Sequence, residues 1–433
     1  MGLQRAELAH LFRRAGFGAR PGELDAAEGV GYEATVEALV YPAGGTADAG
    51  AAATPPPDLG PEPPLLPLGA SPAEQGRYGA ARWDEARRII RWWLARMAAV
   101  EHPVTEKLTF FWHGHWATSL KGVPSARLML RQNQTLRSRG GGDFRDLARA
   151  MVRDPALLVW LDGPLNNKAN PNENLSRELM ELFILGIGNY TEDDVREAAR
   201  ALTGWRVSYR TGSVWRHVAD HDNRSKTVLG RTAAFDDQSL VDLLVETPAS
   251  ARFAISRLWF RFVSPNPPPA AAIARLLSAY GPGRDIRALL RAMLLEPDFR
   301  SARSRHALVK QPIEYVVGAL RALHAGPGAQ AGVLLGGLGQ LPFLPPSVGG
   351  WPSGSAWLTT SAAQIRLQFA GWLVQTSDLS TVEQEPPATR VDAVARLLSV
   401  EWTPRTRAAL TRVSADTAQL VTLALVSPEY VIN

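Results

Sequence analysis

The sequence contains no cysteine, and this absence excludes several kinds of functional site at once. Disulfide bonds, thiolate nucleophiles, cysteine-ligated zinc and iron–sulfur clusters all require that side chain. Any metal ion would therefore be held by His, Asp, Glu or main-chain oxygen. The absence leaves the redox compartment open, because a protein without disulfides can be stable inside or outside the cell.

Lysine is also scarce, so arginine carries nearly all of the positive charge. Only five of the 47 basic residues are lysine, and the 42 acidic residues leave a net charge of +5. The arginines are interspersed with Asp and Glu along the predicted helices. No run of about five or six basic residues forms the stripe typical of nucleic-acid binding, so we expect no nucleic-acid partner.

Long apolar runs are missing as well. No segment reaches the roughly 18 to 20 apolar residues that a membrane span needs. Residues 1–7 are amphipathic and lack the apolar stretch of an export signal. We therefore expect no membrane partner and a cytoplasmic location for the chain as given, unless an export signal has been removed from it.

Length and composition indicate a folded protein with more than one structural unit. Of its 433 residues, 45% are hydrophobic and 21% are charged, near the average for globular proteins. Changes in composition, including the proline runs Pro55–Pro57 and Pro61–Pro64, divide the chain into four predicted segments. These are an N-terminal helical segment (1–40), a Pro/Ala/Gly-rich linker or loop (41–75), a main helical domain with the site (76–376) and a C-terminal helical segment packed on it (377–433).

Hydrophobic spacing predicts a mainly α fold, a multi-helical globular body. Apolar residues recur every three or four positions over most of the chain, for example in a helix predicted over 172–185. The stretches Val207–Tyr209 and Ser213–His217 look instead like short strands and predict a β-hairpin near 205–218.

Two glutamates on one predicted helix are the most informative feature of the sequence. Asn174, Glu178 and Glu181 follow at i, i+4 and i+7, on one face beside the apolar stripe. Two carboxylates there could ligate a metal ion, or could divide into acid and base if their surroundings separate their pKa values. Alternatively, Arg177 and Arg200 pair with them in a buried ion network.

Two histidines, His113 and His115, stand two residues apart between tryptophans. In a strand or turn both imidazoles could face one metal ion, whereas in a helix they would point about 200° apart and only one could serve. Gly114 favours the turn. The alternative is a core histidine whose ring is satisfied by a backbone carbonyl.

A third cluster, His217–Asp222 followed by Lys226, is dense in His and Asp and falls in a predicted loop after a strand. Loops are where proteins often meet their ligands. The alternative is a solvated turn in which the aspartates cap the backbone.

A fourth segment, 345–357, is too rich in glycine and proline to form a helix. Its tryptophans, Trp351 and Trp357, either line a pocket or cover the core.

Together these clusters resemble, over nearly the whole chain, the bacterial family catalogued as domain of unknown function number eighteen hundred. The matching residues are His10–Gly18, Phe111–Trp116, Asn172–Asn174 with Arg177–Phe183, Ala199–Trp205, His221 and Asp222 with Lys226, and Gly350 and Trp351 with Trp357. The resemblance implies membership of a family without an established activity. It also implies that typical members are exported and have a sulfatase-like protein as a partner.

The chain departs from that family's pattern in two motifs. Where the pattern reads Phe-Trp-His-Asn-His-Phe, this chain has Gly114 and Trp116, and where it reads Pro-Pro-Asn-Val, this chain has Ser347. An amide that could orient ligands is therefore missing twice.

The leading hypothesis is a metal-dependent enzyme with a site between helices, a divalent metal of unknown identity and an unknown substrate. Hydrolysis is favoured, although a non-haem metal oxidase uses similar ligands. The predicted metal ligands are His113 or His115, Glu178, Glu181 and His221. The predicted catalytic carboxylates are Glu178, Glu181, Asp222 and Glu173. The predicted substrate-binding residues are Arg177, Trp351, Trp357, Asn174 and Lys226.

Two alternatives remain open. Glu178 and Glu181 could act as acid and base on a sugar or uronate without a metal, with the indoles stacking on the ring. Carboxyls one turn apart on a helix are awkwardly placed for glycoside chemistry, which needs them on both sides of the bond. The motifs could instead form a buried polar network in a non-catalytic binding or assembly protein, which predicts no open pocket beside Glu178.

Overall fold

Apolar residues at helical spacing do form helices along most of the chain. The computed structural model describes residues 2–43, 48–60 and 66–432. Within these ranges it contains 25 α-helices and two two-stranded antiparallel sheets, so the predicted mainly α fold is confirmed. In the same ranges, no helix combines the length and the apolar character of a membrane span.

Eleven helices precede the sheets. They are α1 (Leu3–Ala15), α2 (Glu23–Val30), α3 (Tyr32–Val40), α4 (Ala49–Ala53), α5 (Pro72–Ala99), α6 (Pro103–His115), α7 (Ala126–Arg139), α8 (Phe144–Met151), α9 (Pro155–Trp160), α10 (Asn174–Glu178) and α11 (Glu192–Ala201).

The remaining helices follow the sheets. They are α12 (Asp237–Glu246), α13 (Pro248–Phe262), α14 (Ala270–Tyr280), α15 (Ile286–Leu295), α16 (Pro297–Arg300), α17 (Ala302–Arg305), α18 (Pro312–Ala322), α19 (Gln330–Gly337), α20 (Thr360–Thr376), α21 (Ser380–Glu383), α22 (Arg390–Leu398), α23 (Pro404–Thr411), α24 (Thr417–Leu425) and α25 (Pro428–Val431).

The helix predicted over 172–185 changes its winding midway. α10 continues directly into a π-helix over Leu179–Ile184, after which the backbone N–H groups of Leu185 and Gly186 both donate to the Met180 carbonyl. The wider turn rotates later side chains away from the positions that a regular α-helix would give them. π-Helical turns are rare in proteins overall, but those that do occur are often found at functional sites.

Two hairpins lie between α11 and α12. β1 (Trp205–Val207) pairs with β2 (Val214–Arg216), as the sequence predicts, and β3 (Lys226–Val228) pairs with β4 (Arg231–Ala233). The second hairpin is unexpected from the sequence. Its two-residue turn, Leu229-Gly230, has positive φ at both positions, as a type I′ turn requires, but leucine replaces the usual Asn or Asp.

The Pro/Gly-rich segment near 41–75 is fastened to the helices where it is described. Asp48 caps α4, and the indole Nε1 of Trp92 on α5 donates a 3.0 Å hydrogen bond to the Thr54 carbonyl. The run Pro61–Pro64 lies outside the described residues.

The interior consists of two hydrophobic clusters, and α6 contributes to both. One cluster joins α1–α3 to helices between residues 104 and 299, and includes Phe111 and Trp112. The other joins α5 to helices between residues 313 and 431, and includes Phe110. Both clusters combine residues that are distant in sequence, and the four predicted segments stay a prediction.

A buried ionic cluster ties α6 to α13 and α18. The Glu314 carboxylate accepts a hydrogen bond from Lys107 and lies 2.8 Å from the guanidinium of Arg261. Burial alone would raise the pKa of Glu314, but the charges of Arg261 and Lys107 lower it to about 2. The carboxylate therefore stays ionised and balances two cations inside the protein.

We expect Glu314→Gln to lower the free energy of unfolding by about 3 to 5 kcal/mol, because it leaves two cations beside a neutral amide. Urea unfolding followed by circular dichroism measures the loss. Asp392→Asn is the control, since the Asp392–Arg407 pair is about half exposed at both ends and is worth at most about 1 kcal/mol. Equal losses in the two variants would contradict the assignment.

Candidate active site

The end of α6 carries both predicted histidines, and the helix makes them point in different directions. Gly114 lies inside the last helical turn, so the turn in which both rings face one metal ion is not formed. The Nε2 atom of His113 accepts a 2.9 Å hydrogen bond from the Phe343 backbone N–H. The His113 ring also packs against Trp93 and Trp351, which makes it part of the core.

His115 faces the π-helix. Its Nε2 atom lies 2.8 Å from the Phe183 carbonyl oxygen, and because a carbonyl can only accept, this nitrogen carries the proton. The other ring nitrogen, Nδ1, is buried and has no hydrogen-bond partner among the described residues. Burial and the charge of Arg257 lower the pKa of His115 to about 3, so the ring is neutral at pH 7.

A cleft with two compartments opens beside His115. The large compartment has a volume of about 510 Å³ and lies between the π-helix, α13 and the segment 348–349. The small compartment has a volume of about 140 Å³ and lies between α6, α13 and the segment 349–353. His115, Arg257 and Gly349 line both compartments and mark the junction between them.

Arginines of α13 follow the length of this cleft. Arg252 lines the large compartment, Arg257 the junction and Arg261 the small compartment. Arg261 is paired with Glu314, whereas within the described ranges the side chains of Arg252 and Arg257 have no ion pair or hydrogen bond. Desolvation by the surrounding protein lowers the pKa of Arg257, although its side chain is exposed to the solvent of the cleft. A permanent cation without a partner at this junction is suited to binding an anion.

Glu181 is the predicted carboxylate that lines the cleft. It lies in the large compartment and accepts a 2.9 Å hydrogen bond from the Tyr190 hydroxyl. Glu178, one turn earlier, is half-buried, and burial together with the charge of Glu181 raises its pKa. In the described part of the chain neither carboxylate pairs with an arginine or lysine, so the ion network with Arg177 and Arg200 is not formed.

Three other predicted residues of this region lie in a separate polar surface group. The Arg177 guanidinium is 3.0 Å from the Glu173 carboxylate and 2.7 Å from that of Glu192. The Nδ2 atom of Asn174 donates a 3.1 Å hydrogen bond to Asp162. These side chains hold the start of α10 and do not line the cleft.

The predicted loop cluster forms a network of hydrogen bonds and ion pairs between α11 and β3. Asp222 is buried between the guanidiniums of Arg224 and Arg200, whose hydrogen bonds and charges hold its pKa well below the ordinary range. The buried Lys226 ammonium donates to three backbone carbonyls, and the Nδ1 atom of His221 lies 3.0 Å from the Thr203 carbonyl oxygen. None of the three predicted residues, His221, Asp222 and Lys226, lines the cleft.

The two predicted tryptophans have different surroundings. Trp351 is half-buried and lines the small compartment, whereas Trp357 is buried and its carbonyl accepts a hydrogen bond from Arg366. Gly350 lets its backbone pass close to that of Gly114, and this approach positions the neighbouring Trp351. The φ of Gly350 is +84°, and a Cβ there would lie 2.3 Å from the Gly114 carbonyl oxygen, so a larger residue would separate the two segments.

A profile of the protein family described as "Protein of unknown function (DUF1800)" matches residues 10–432. The chain belongs to this DUF1800 family. No curated protein and no solved structure matches it. The family description assigns no activity.

The predicted metal ligands do not form one donor set in this DUF1800 protein. Across residues 2–43, 48–60 and 66–432, no group of three or more His, Asp or Glu side chains is arranged to hold a metal ion. His115 and Glu181 line the cleft, while His113 and His221 are hydrogen-bonded to backbone groups elsewhere. The donors therefore do not fit a metal ion bound by the predicted set.

The arginines of the cleft are functional candidates that sequence reasoning missed. With 42 arginines in the chain, Arg252 and Arg257 look like any other pair on a helix. Only the position of α13 beside α6 distinguishes them. The sequence contains no motif that marks Arg252 and Arg257 as ligand-binding residues.

The buried histidines predict acid sensitivity. Burial lowers the pKa of both His113 and His115 to about 3, whereas an unfolded histidine titrates near 6.5. Between these values the unfolded chain binds more protons, so each histidine lowers the free energy of unfolding by up to about 1.4 kcal/mol per pH unit as pH falls. We expect His115→Gln to reduce this slope in urea unfolding between pH 6.5 and about pH 4.

The matched control is His324→Gln, because His324 is exposed. It should leave the slope of stability against pH unchanged. An equal slope in wild type and His115→Gln would mean that His115 is protonated in the folded protein.

Proposed function

We propose that this protein is an enzyme that carries out acid–base chemistry on an organic anion bound in the cleft, without requiring a metal ion. The observation that carries the proposal is the unpaired cation at the junction. Arg257 has no ionic partner among the described residues and lies where both compartments meet, beside the neutral His115. Glu181 lines the same cleft and supplies a group for proton transfer.

Arg257 is the group that binds the anion. A guanidinium can donate two parallel hydrogen bonds to a carboxylate, and such a pair is stronger and more directional than a neutral contact. Because no described carboxylate neutralises Arg257, an incoming anion has no internal competitor. A bound anion would also offset the positive charge that lowers the pKa of His115.

Glu181 is the proposed proton-transfer group, and its neighbours support this role. The Tyr190 hydroxyl donates to its carboxylate and fixes its orientation. The raised pKa of Glu178 provides a second carboxyl that holds its proton to higher pH, one turn away. With Nε2 committed to the Phe183 carbonyl and Nδ1 buried, the neutral His115 ring lines the cleft and leaves proton transfer to the carboxyls.

The open cleft favours an enzyme over the non-catalytic alternative. That alternative predicts no open pocket beside Glu178, whereas the large compartment reaches Glu181 on the following turn. The volume of about 510 Å³ lies within the range of roughly 300 to 1,000 Å³ that is common for ligand sites.

Turnover of organic acids tests the proposal. A panel of organic acids and acidic sugars, with their neutral amide or alcohol counterparts, is incubated with the protein and products are followed by NMR. We expect product from acidic members only. Glu181→Gln should lower kcat by about 100-fold or more, as expected for loss of a general acid or base, while Arg257→Gln should mainly raise KM.

Glu383→Gln is the control for these variants, since Glu383 is exposed and outside the cleft. It should keep wild-type kinetics. Equal turnover of neutral and acidic compounds, or unchanged kcat in Glu181→Gln, would overturn the proposal.

The metal-dependent hydrolase suggested by the sequence stays a prediction with its own test. From the donor geometry we expect much less than one divalent metal ion per chain in protein purified without chelators, measured by plasma mass spectrometry. One metal ion per chain that is lost in both His115→Gln and Glu181→Gln would instead support the hydrolase.

A further inference from the structure

The two compartments of the cleft differ in chemistry, and a ligand that fills both must pass over Arg257. The large compartment has apolar walls from Leu182, Leu185 and Phe253, together with Glu181. The small compartment is too small for a whole ligand at about 140 Å³, but it can hold one ring of a larger molecule.

We infer that the substrate is an acidic oligosaccharide of at least two sugar rings, with its carboxylate on Arg257 and an adjacent ring in the small compartment against Trp351. This inference rests on the proposed function and adds the substrate class. It assigns the small compartment as a sugar subsite.

Aromatic rings on the walls of the small compartment support this assignment. Phe111, Phe260 and Trp351 all line it, and Phe260 is 38% exposed although it is a large apolar side chain. Such rings offer flat apolar surfaces to the C–H faces of a sugar. An exposed aromatic ring within a cleft gains contacts when a ligand covers it.

Polar groups in the same compartment favour a sugar over an alkyl chain. Ser353 offers a hydroxyl group and Arg257 a guanidinium, while Gln311, whose amide oxygen already accepts from Gln340, and Arg261, which is paired with Glu314, offer their remaining N–H groups. Covering these groups with hydrocarbon would remove their hydration without replacing it, which costs free energy. Sugar hydroxyl groups can replace that water with hydrogen bonds.

Binding measurements with size-separated sugars test the inference. The probes for titration calorimetry are the monosaccharides and disaccharides of galacturonate, glucuronate, mannuronate and guluronate, with cellobiose as a neutral sugar and decanoate as an alkyl carboxylate. We expect at least one acidic disaccharide to bind 10-fold or more tightly than its monosaccharide. Cellobiose and decanoate should bind more weakly than that disaccharide.

Variants locate the second ring. Phe260→Ala and Trp351→Ala should lower disaccharide affinity to that of the monosaccharide and leave monosaccharide affinity unchanged. Arg257→Gln should weaken both sugars. Phe260 is exposed, so its variant tests the subsite even if the loss of Trp351 prevents folding, and Trp215→Ala, an exposed tryptophan outside the cleft, should change nothing.

The outcomes separate this inference from the proposed function. If no acidic disaccharide binds better than its monosaccharide, or if Phe260→Ala has no effect, the sugar subsite is wrong while turnover of another organic acid can still stand. Tighter binding of decanoate would replace the sugar by an alkyl carboxylate. If Arg257→Gln weakens no anionic ligand, both the inference and the proposed function fail.

Discussion

The structure depends on one requirement: the buried polar side chains of α6 need hydrogen-bond or ion-pair partners. In α6, 11 of 13 residues are buried, and they include Glu106, Lys107, His113 and His115. Each of these polar groups would cost several kcal/mol if it were left without a partner in the interior. Each finds its partner on a different element: arginines of α5 and α7, Glu314 of α18, the Phe343 backbone and the π-helix. The specificity of these bonds fixes how the surrounding helices are placed.

The candidate site is a consequence of that arrangement. The hydrogen bond from His115 to the Phe183 carbonyl holds the end of α6 against the π-helix, which sets Glu181 at the edge of the cleft. The ionic cluster around Glu314 draws the end of α13 towards α6 and engages Arg261, while Arg257, one turn earlier, stays free of a described partner. The close approach of Gly350 to Gly114 brings Trp351 to the small compartment. The same contacts that stabilise the interior therefore shape the cleft.

Sequence reasoning succeeded where local pattern decides structure. Helical spacing gave the fold class, and strand-like residues gave the first hairpin. It failed where a local pattern is compatible with more than one backbone structure. Gly114 suggested a turn, but burial of α6 on all sides keeps it helical, because an unpaired backbone in that environment would be costly. The second hairpin turns at Leu229, which carries no turn signal. Of the predicted site residues, His115, Glu181 and Trp351 line the cleft. Asp222 is held instead by Arg200 and Arg224, and His221 and Lys226 bond nearby backbone carbonyls.

The sequence by itself determined the mainly α architecture, the absence of cysteine chemistry and the family, because periodicity, composition and motif spacing are properties of the chain alone. Only the tertiary structure decided which polar residues are paired within the protein and which stay available to a ligand. Arg200 and Arg257 look alike in sequence, yet the first is held by Asp222 and the second faces the cleft. The physical reason is that a charge is neutralised by groups within a few ångströms in space, and those neighbours come from distant parts of the chain.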